Sequence, residues 1–132
     1  MKAISANVTK GLQTKSKLKC ADNSGAKILE IISVRGFKGR WRRRPTTGVA
    51  DLVNCKVLVG VEKVRHEVHK AVIIRQVKEY RRADGVRISF EDNAAVVVNE
   101  KFEPIGNIVK GPVAKEAIER FPTLGKIASI VI

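Results

Sequence analysis

The chain has 132 residues, with 26 Lys and Arg against 13 Asp and Glu, so its formal net charge is +13. An apolar content of 44% excludes a long disordered tail, and 5% aromatics require a core built mainly from Val, Ile, Leu and Ala. This size predicts one compact domain, residues 1–132, with a single core and a radius of gyration of roughly 14 Å, and the charge calls for an acidic partner, nucleic acid ahead of an anionic membrane.

Met1 to Gly11 contains no apolar run of signal-peptide length, and no later stretch approaches the ~18 apolar residues of a spanning helix, so a cytosolic protein without membrane contact is expected. Leu18 to Cys20, the turn Ala21-Asp22-Asn23-Ser24-Gly25-Ala26 and the β-branched run Ile28 to Val34 read as a hairpin. Next comes Arg35-Gly36-Phe37-Lys38-Gly39-Arg40-Trp41-Arg42-Arg43-Arg44-Pro45, the peak of a charge asymmetry that puts +10 of the +13 in residues 1–44. Glycines at 36 and 39, Pro45 and the lack of any apolar period predict a projecting loop. Five of its six cations are Arg, whose planar fork bonds phosphate oxygens in pairs and stacks on bases, which a merely solubilising loop does not require. Phe37 is expected to anchor the loop; for Trp41, anchoring and stacking on an unpaired base both stand open.

Val53, Cys55, Val57, Val59 and Val61 alternate with Asn54, Lys56, Leu58 and Gly60, which predicts a strand with five apolar side chains on one face. Ala71 to Val77 and Val86 to Phe90 flank Tyr80-Arg81-Arg82-Ala83-Asp84-Gly85, where Asp84-Gly85 is expected to supply positive φ angles for the turn of a second hairpin. Lys78, Arg81, Arg82 and Arg87 make that tip cationic; Arg81 and Arg82 are either solvated charges or nucleic-acid contacts. Ala94 to Val98 reads as another strand, and Ile108 to Lys110 as a last short one. Gly111-Pro112 is expected to open a helix that Phe121-Pro122 stops. Val113, Ala114, Ala117, Ile118 and Phe121 would form its apolar face over the barrel, with Lys115, Glu116, Glu119 and Arg120 left to solvent or a partner. Ile127 to Ile132 fits a helical turn or a strand equally. The fold class is therefore all-β dominated, a small five-stranded barrel over about residues 1–110 with a short C-terminal helical part over about 111–132.

Catalytic chemistry finds little footing. His66 and His69 have no CxxC or carboxylate cluster to complete a zinc site, and no P-loop or nucleophile-elbow spacing occurs. Glu91-Asp92 beside Asn93 is more simply a turn than an acid and base pair. Cys20 and Cys55, far apart in sequence, read as reduced, buried thiols. No enzyme activity, metal or cofactor is expected. A free-standing oligonucleotide-binding barrel is the alternative, although such modules offer sheet aromatics for stacking and the strands here contain almost none beyond Phe90.

The segment Ala71-Val72-Ile73-Ile74, followed at fixed distances by Asp84-Gly85, Phe90, Asn93 and Val96-Val97, resembles the signature of the universal large-subunit ribosomal protein family conventionally numbered fourteen. Ala21 to Ala26 is similar to that family's N-terminal turn, and Gly111-Pro112-Val113-Ala114-Lys115-Glu116 to the start of its C-terminal helix. The lead through Lys17, the Gly36 to Pro45 loop and Arg75 to Arg82 look more like the archaeal and eukaryotic branch. The resemblance implies a five-stranded barrel on the intersubunit face of the large ribosomal subunit. It implies, as partners, large-subunit rRNA, small-subunit rRNA at an intersubunit bridge, neighbouring ribosomal proteins and an anti-association factor. Carried onto this chain, Arg35, Lys38, Arg40, Trp41, Arg42, Arg43 and Arg44, with Lys78, Arg81, Arg82 and Arg87, are the rRNA-binding candidates. Gly106, Lys110, Lys115 and Arg120 are the docking candidates, within about Gly106 to Phe121. The linker Gly60 to His69 departs from the family by lacking the Gly and Pro turn that relatives often carry.

Overall fold

The computed structural model describes residues Met1–Ile132. Eleven strands occur in chain order: β1 Leu12–Gln13, β2 Lys17–Cys20, β3 Ala26–Val34, β4 Thr46–Thr47, β5 Leu52–Gly60, β6 Val68–Arg75, β7 Tyr80–Arg81, β8 Arg87–Ile88, β9 Ala94–Val98, β10 Val109–Val113 and β11 Ala128–Val131. One helix, α1 Lys115–Arg120, and a 3-10 helix, Pro122–Lys126, lie between the last two strands. No helix is long and apolar enough to cross a membrane.

Strands β2, β3, β5, β6 and β9 form a closed barrel, sealed where β2 runs parallel to β9. The β2–β3 hairpin forms as its sequence predicts, with Lys17 opposite Glu30 and Gly25 at φ +99° completing the turn. Leu18, Leu29, Ile31, Val53, Cys55, Val57, Ala71, Ile73, Ala95 and Val97 point inward and fill the barrel. Each is close to fully buried, which at about 25 cal/mol per Å² makes this lining a major stabilising term.

The expectation of a single core needs correction. Val72, Ile74, Ala94, Val96 and Val98, which point out of the barrel wall, pack with Val109, Val113, Ala117, Phe121 and Leu124. This explains why β9 reads as five consecutive apolar residues, all buried: its inner face meets the barrel lining and its outer face the C-terminal segment. That segment lies along the outside of the wall and does not close the barrel's end. It has no apolar cluster of its own.

Three further expectations are corrected, and one left open is decided. Val59 is about half exposed, because a bulge sets Val57 opposite Leu29 but Val59 opposite the outward-facing Ile28; Val61, also about half exposed, lies beyond the end of β5. Pro112 does not open the helix: Gly111, Pro112 and Val113 belong to β10, which pairs in parallel with β11, and α1 begins at Lys115. Besides the pairing with β11, Arg75 braces this stretch: its Nη1 donates to the carbonyls of Lys110 and Pro112, at 3.0 and 2.8 Å. Within Ile127 to Ile132, left open by the sequence, Ala128–Val131 form strand β11, while Ile127 closes the 3-10 helix. Finally, Glu116 is 1% exposed, not on the solvent face. Tyr80 donates to it at 2.7 Å and Arg82 at 2.8 Å through Nε. Burial opposes its ionisation, but those donors outweigh burial and hold the carboxyl below its usual range.

Candidate nucleic-acid interface

The arginine-rich loop leaves β3 and returns at β4, which is tied to β1 through Leu12 opposite Thr47. Its first residue is fixed by the Arg35 N–H, which donates to the Leu52 carbonyl at 3.0 Å, and Gly36 follows at φ +78°. A turn closes at the far end where the Arg43 N–H donates to the Arg40 carbonyl at 3.0 Å, with Arg42 at φ +61°. All six cations, Arg35, Lys38, Arg40, Arg42, Arg43 and Arg44, are exposed, and none takes part in any ion pair of the protein. Arg35 instead sits over the Phe102 ring, 5.2 Å from its centroid. Phe37 is half-buried beside Gly39, whereas Trp41 is 87% exposed and anchors nothing. The protein thus holds six uncompensated positive charges and one large aromatic surface in the solvent on a short tether.

The second cationic tip is a separate two-stranded ribbon, β7 with β8. Only Gly85 has a positive φ, +89°; Asp84 contributes differently, accepting from the Val86 N–H at 3.0 Å. Lys78 and Arg81 are exposed and outside any ion pair, and the exposed Arg87 meets Glu79 at 3.1 Å. Arg82 is placed otherwise: its Nε and Nη2 are bound by Glu116, and Nη2 also donates to the Ile132 carbonyl at 2.6 Å. Burial disfavours its charge, but the Glu116 carboxylate dominates and raises its pKa. Its guanidinium is a structural tie between the hairpin, α1 and the C-terminus, which leaves it less free than its neighbours to meet another group.

Of the docking candidates, Lys110 and Lys115 are exposed. Arg120 is partly covered, donating to the carbonyls of Ala50 and Lys2 and to Asp51 at 3.2 Å. Gly106 is buried against the β2–β3 turn: a Cβ there would lie 2.6 Å from Asn23 Oδ1. It shapes the surface without offering a side chain to it.

The thiols of Cys20 and Cys55 are free. Burial, with the Asp22 carboxylate adding to it, pushes Cys20 up to about 12, and burial pushes Cys55 up to about 12. His69 Nε2 lies 3.1 Å from a Glu67 carboxylate oxygen, but no group of three or more His, Cys, Asp or Glu is placed to hold a metal ion.

The family model for ribosomal protein L14p/L23e matches residues 11–132. The chain belongs to this ribosomal protein family. Large ribosomal subunit protein uL14 of Methanoregula boonei is 48% identical over 132 residues, covering all of both chains. The uL14 of Methanospirillum hungatei is 46% identical over the same span, and that of Methanococcus maripaludis 48% over 131 residues, 99% of each chain. Membership carries the class expected from the sequence: L14p/L23e proteins are structural, non-enzymatic components of the cytoplasmic ribosome's large subunit.

One feature of the surface escaped the sequence reading. Ile4, Ala6 and Val8 pack inward against Val49, Ala50, Tyr80, Phe90 and Ala114, so Ser5, Asn7 and Thr9 point outward. Alternation over six residues was the available signal; it is easily passed over because Ala6 is small and the segment lies outside the barrel.

Proposed function

We propose that this chain binds large-subunit rRNA through the Gly36 to Pro45 loop together with Arg35, the barrel serving as a rigid base. The observation that carries this reading is the set of six exposed cations with no carboxylate partner anywhere in the protein. A surface so charged is self-repelling alone and is stabilised when phosphates take the place of counterions. Selection then follows shape more than base sequence, because A-form RNA hides its major-groove edges and presents backbone and 2′-hydroxyls. Trp41 is free to stack on an unpaired base.

Lys78, Arg81 and Arg87 form the second contact, and the intersubunit face they belong to reaches small-subunit rRNA at a bridge. The docking surface for an anti-association factor lies on β10, α1 and β11. There Lys110 and Lys115 stand beside exposed Ile108, Ile130 and Val131, a mixture of charge and apolar area suited to a protein partner. Neighbouring ribosomal proteins cover other faces. The loop's part is tested by titrating rRNA with a variant carrying Arg42→Ala, Arg43→Ala and Arg44→Ala over a range of salt concentrations. A shallower salt dependence than the parent supports it, and an unchanged slope refutes it.

A further inference from the structure

Beside the second hairpin the N-terminal segment builds a polar groove of about 500 Å³, lined by Ser5, Asn7, Thr9, Arg81, Arg82, Ala83 and Arg87. The geometry points to this groove as a second seat for the RNA sugar–phosphate backbone, with Arg81 and Arg87 supplying charge and Ser5, Asn7 and Thr9 supplying neutral hydrogen bonds. This inference rests on the rRNA-binding reading and extends it to residues 1–10, which the family model leaves unmatched.

Three observations carry it. First, the segment is placed: Val8 is buried, Ile4 and Ala6 pack on the same cluster, and Asn7 forms an antiparallel bridge with Arg81. Its outward positions are therefore held in register with the hairpin. Second, all three outward residues are small hydrogen-bonding side chains, the kind that reaches phosphate oxygens and ribose hydroxyls and fixes register on the backbone without reading sequence. None of the three side chains has a hydrogen-bond partner within the protein, although Thr9 lends its backbone carbonyl to Gln76. Third, Arg81 and Arg87 stand directly opposite each other across the ribbon. Like charges so placed disfavour strand pairing, and an anion between them relieves the repulsion. Glu79 answers only Arg87, through one nitrogen, and Arg81 has no counter-charge. Arg82 forms the floor and is already bound to Glu116, so the groove's charge comes from the other two.

The two kinds of donor make separable predictions. Arg81→Ala with Arg87→Ala removes two phosphate contacts and should lower the salt slope of rRNA binding by roughly one and a half. Ser5→Ala, Asn7→Ala and Thr9→Ala together should weaken binding on the order of tenfold at fixed salt and leave the slope unchanged, because neutral donors release no counterions. Full-length variants would be titrated with rRNA purified from large ribosomal subunits, beside the parent and the loop triple-alanine variant. Thermal unfolding near that of the parent shows that the alanine variants are folded. If the loop variant lowers the slope while both groove variants bind like the parent, the groove inference is wrong and the loop reading stands. If the groove variants behave as expected while the loop variant does not, the loop reading fails and the groove survives. Equal loss of slope in both groove variants would also overturn the division of labour proposed here. A photo-crosslinker at position 7 that joins only protein in assembled subunits would overturn the RNA seat in favour of an acidic protein segment.

Discussion

Replacing Glu116 by Ala removes the acceptor that joins three parts of the molecule. In the parent its carboxylate takes hydrogen bonds from Tyr80 at 2.7 Å and from Arg82 at 2.8 and 3.3 Å, and Glu116 is 1% exposed. The variant strands a mostly buried guanidinium and a buried phenol; breaking such a pair from one side costs about 3–5 kcal/mol. Arg82 keeps the Ile132 carbonyl as one acceptor, so the lower end of that range, about 3 kcal/mol, is expected. For a domain of this size that is a fall in Tm of about 10 °C. Because Glu116 titrates below its usual range, its stabilisation is complete above the unfolded carboxylate value of about 4.3 and is lost as pH falls through the lower folded value. The gap between parent and Glu116→Gln should therefore shrink on going from pH 7 to pH 3. Thermal and denaturant unfolding across that range measure both effects. A change in Tm of under about 3 °C for the alanine variant, or a gap to Gln that does not depend on pH, would refute the network's role.

Gly106→Ala should destabilise the fold by about 1–3 kcal/mol, because the added methyl would meet Asn23 Oδ1 at 2.6 Å and the Asp22 Cβ at 3.0 Å, and the turn must shift to admit it. Unfolding in denaturant reads this directly, and a variant as stable as the parent would show that the turn gives way freely. Cys20 and Cys55, with thiols pushed up to about 12, should resist iodoacetamide at about pH 8 in the native protein and react once it is unfolded. Cys20 is only partly buried, not buried as its sequence suggests, so rapid native labelling of Cys55 would contradict its burial, and rapid labelling of Cys20 the raised pKa.

The barrel was largely legible in the sequence because its strands carry local patterns: the polar turn between β2 and β3, the alternation that begins β5, and the apolar runs of β6 and β9. What escaped was set by contacts distant in sequence. Nothing near Pro112 announces that Arg75, 37 residues earlier, will hold its carbonyl, or that β11 will pair with this stretch. Glu116 occupies a helix position that pattern alone assigns to solvent, yet its partners Tyr80 and Arg82 lie on a separate ribbon. The bulge between β3 and β5 turned Val59 outward against an otherwise correct alternation. At the candidate site, composition identified the arginine loop, since exposure without partners is what a charged, Gly-broken segment produces. It could not separate Arg81, which is free, from the adjacent Arg82, which is bound.

The proposed function stands on guanidinium groups of a solvent-projecting loop meeting rRNA phosphates. The most direct measurement is the logarithmic slope of rRNA affinity against salt for the parent and for the Arg42, Arg43 and Arg44 triple-alanine variant. Each lost phosphate contact is worth about 0.7–0.9 in that slope, so a decrease of roughly two to three is expected, with thermal stability retained. A folded variant whose slope matches the parent's would contradict it.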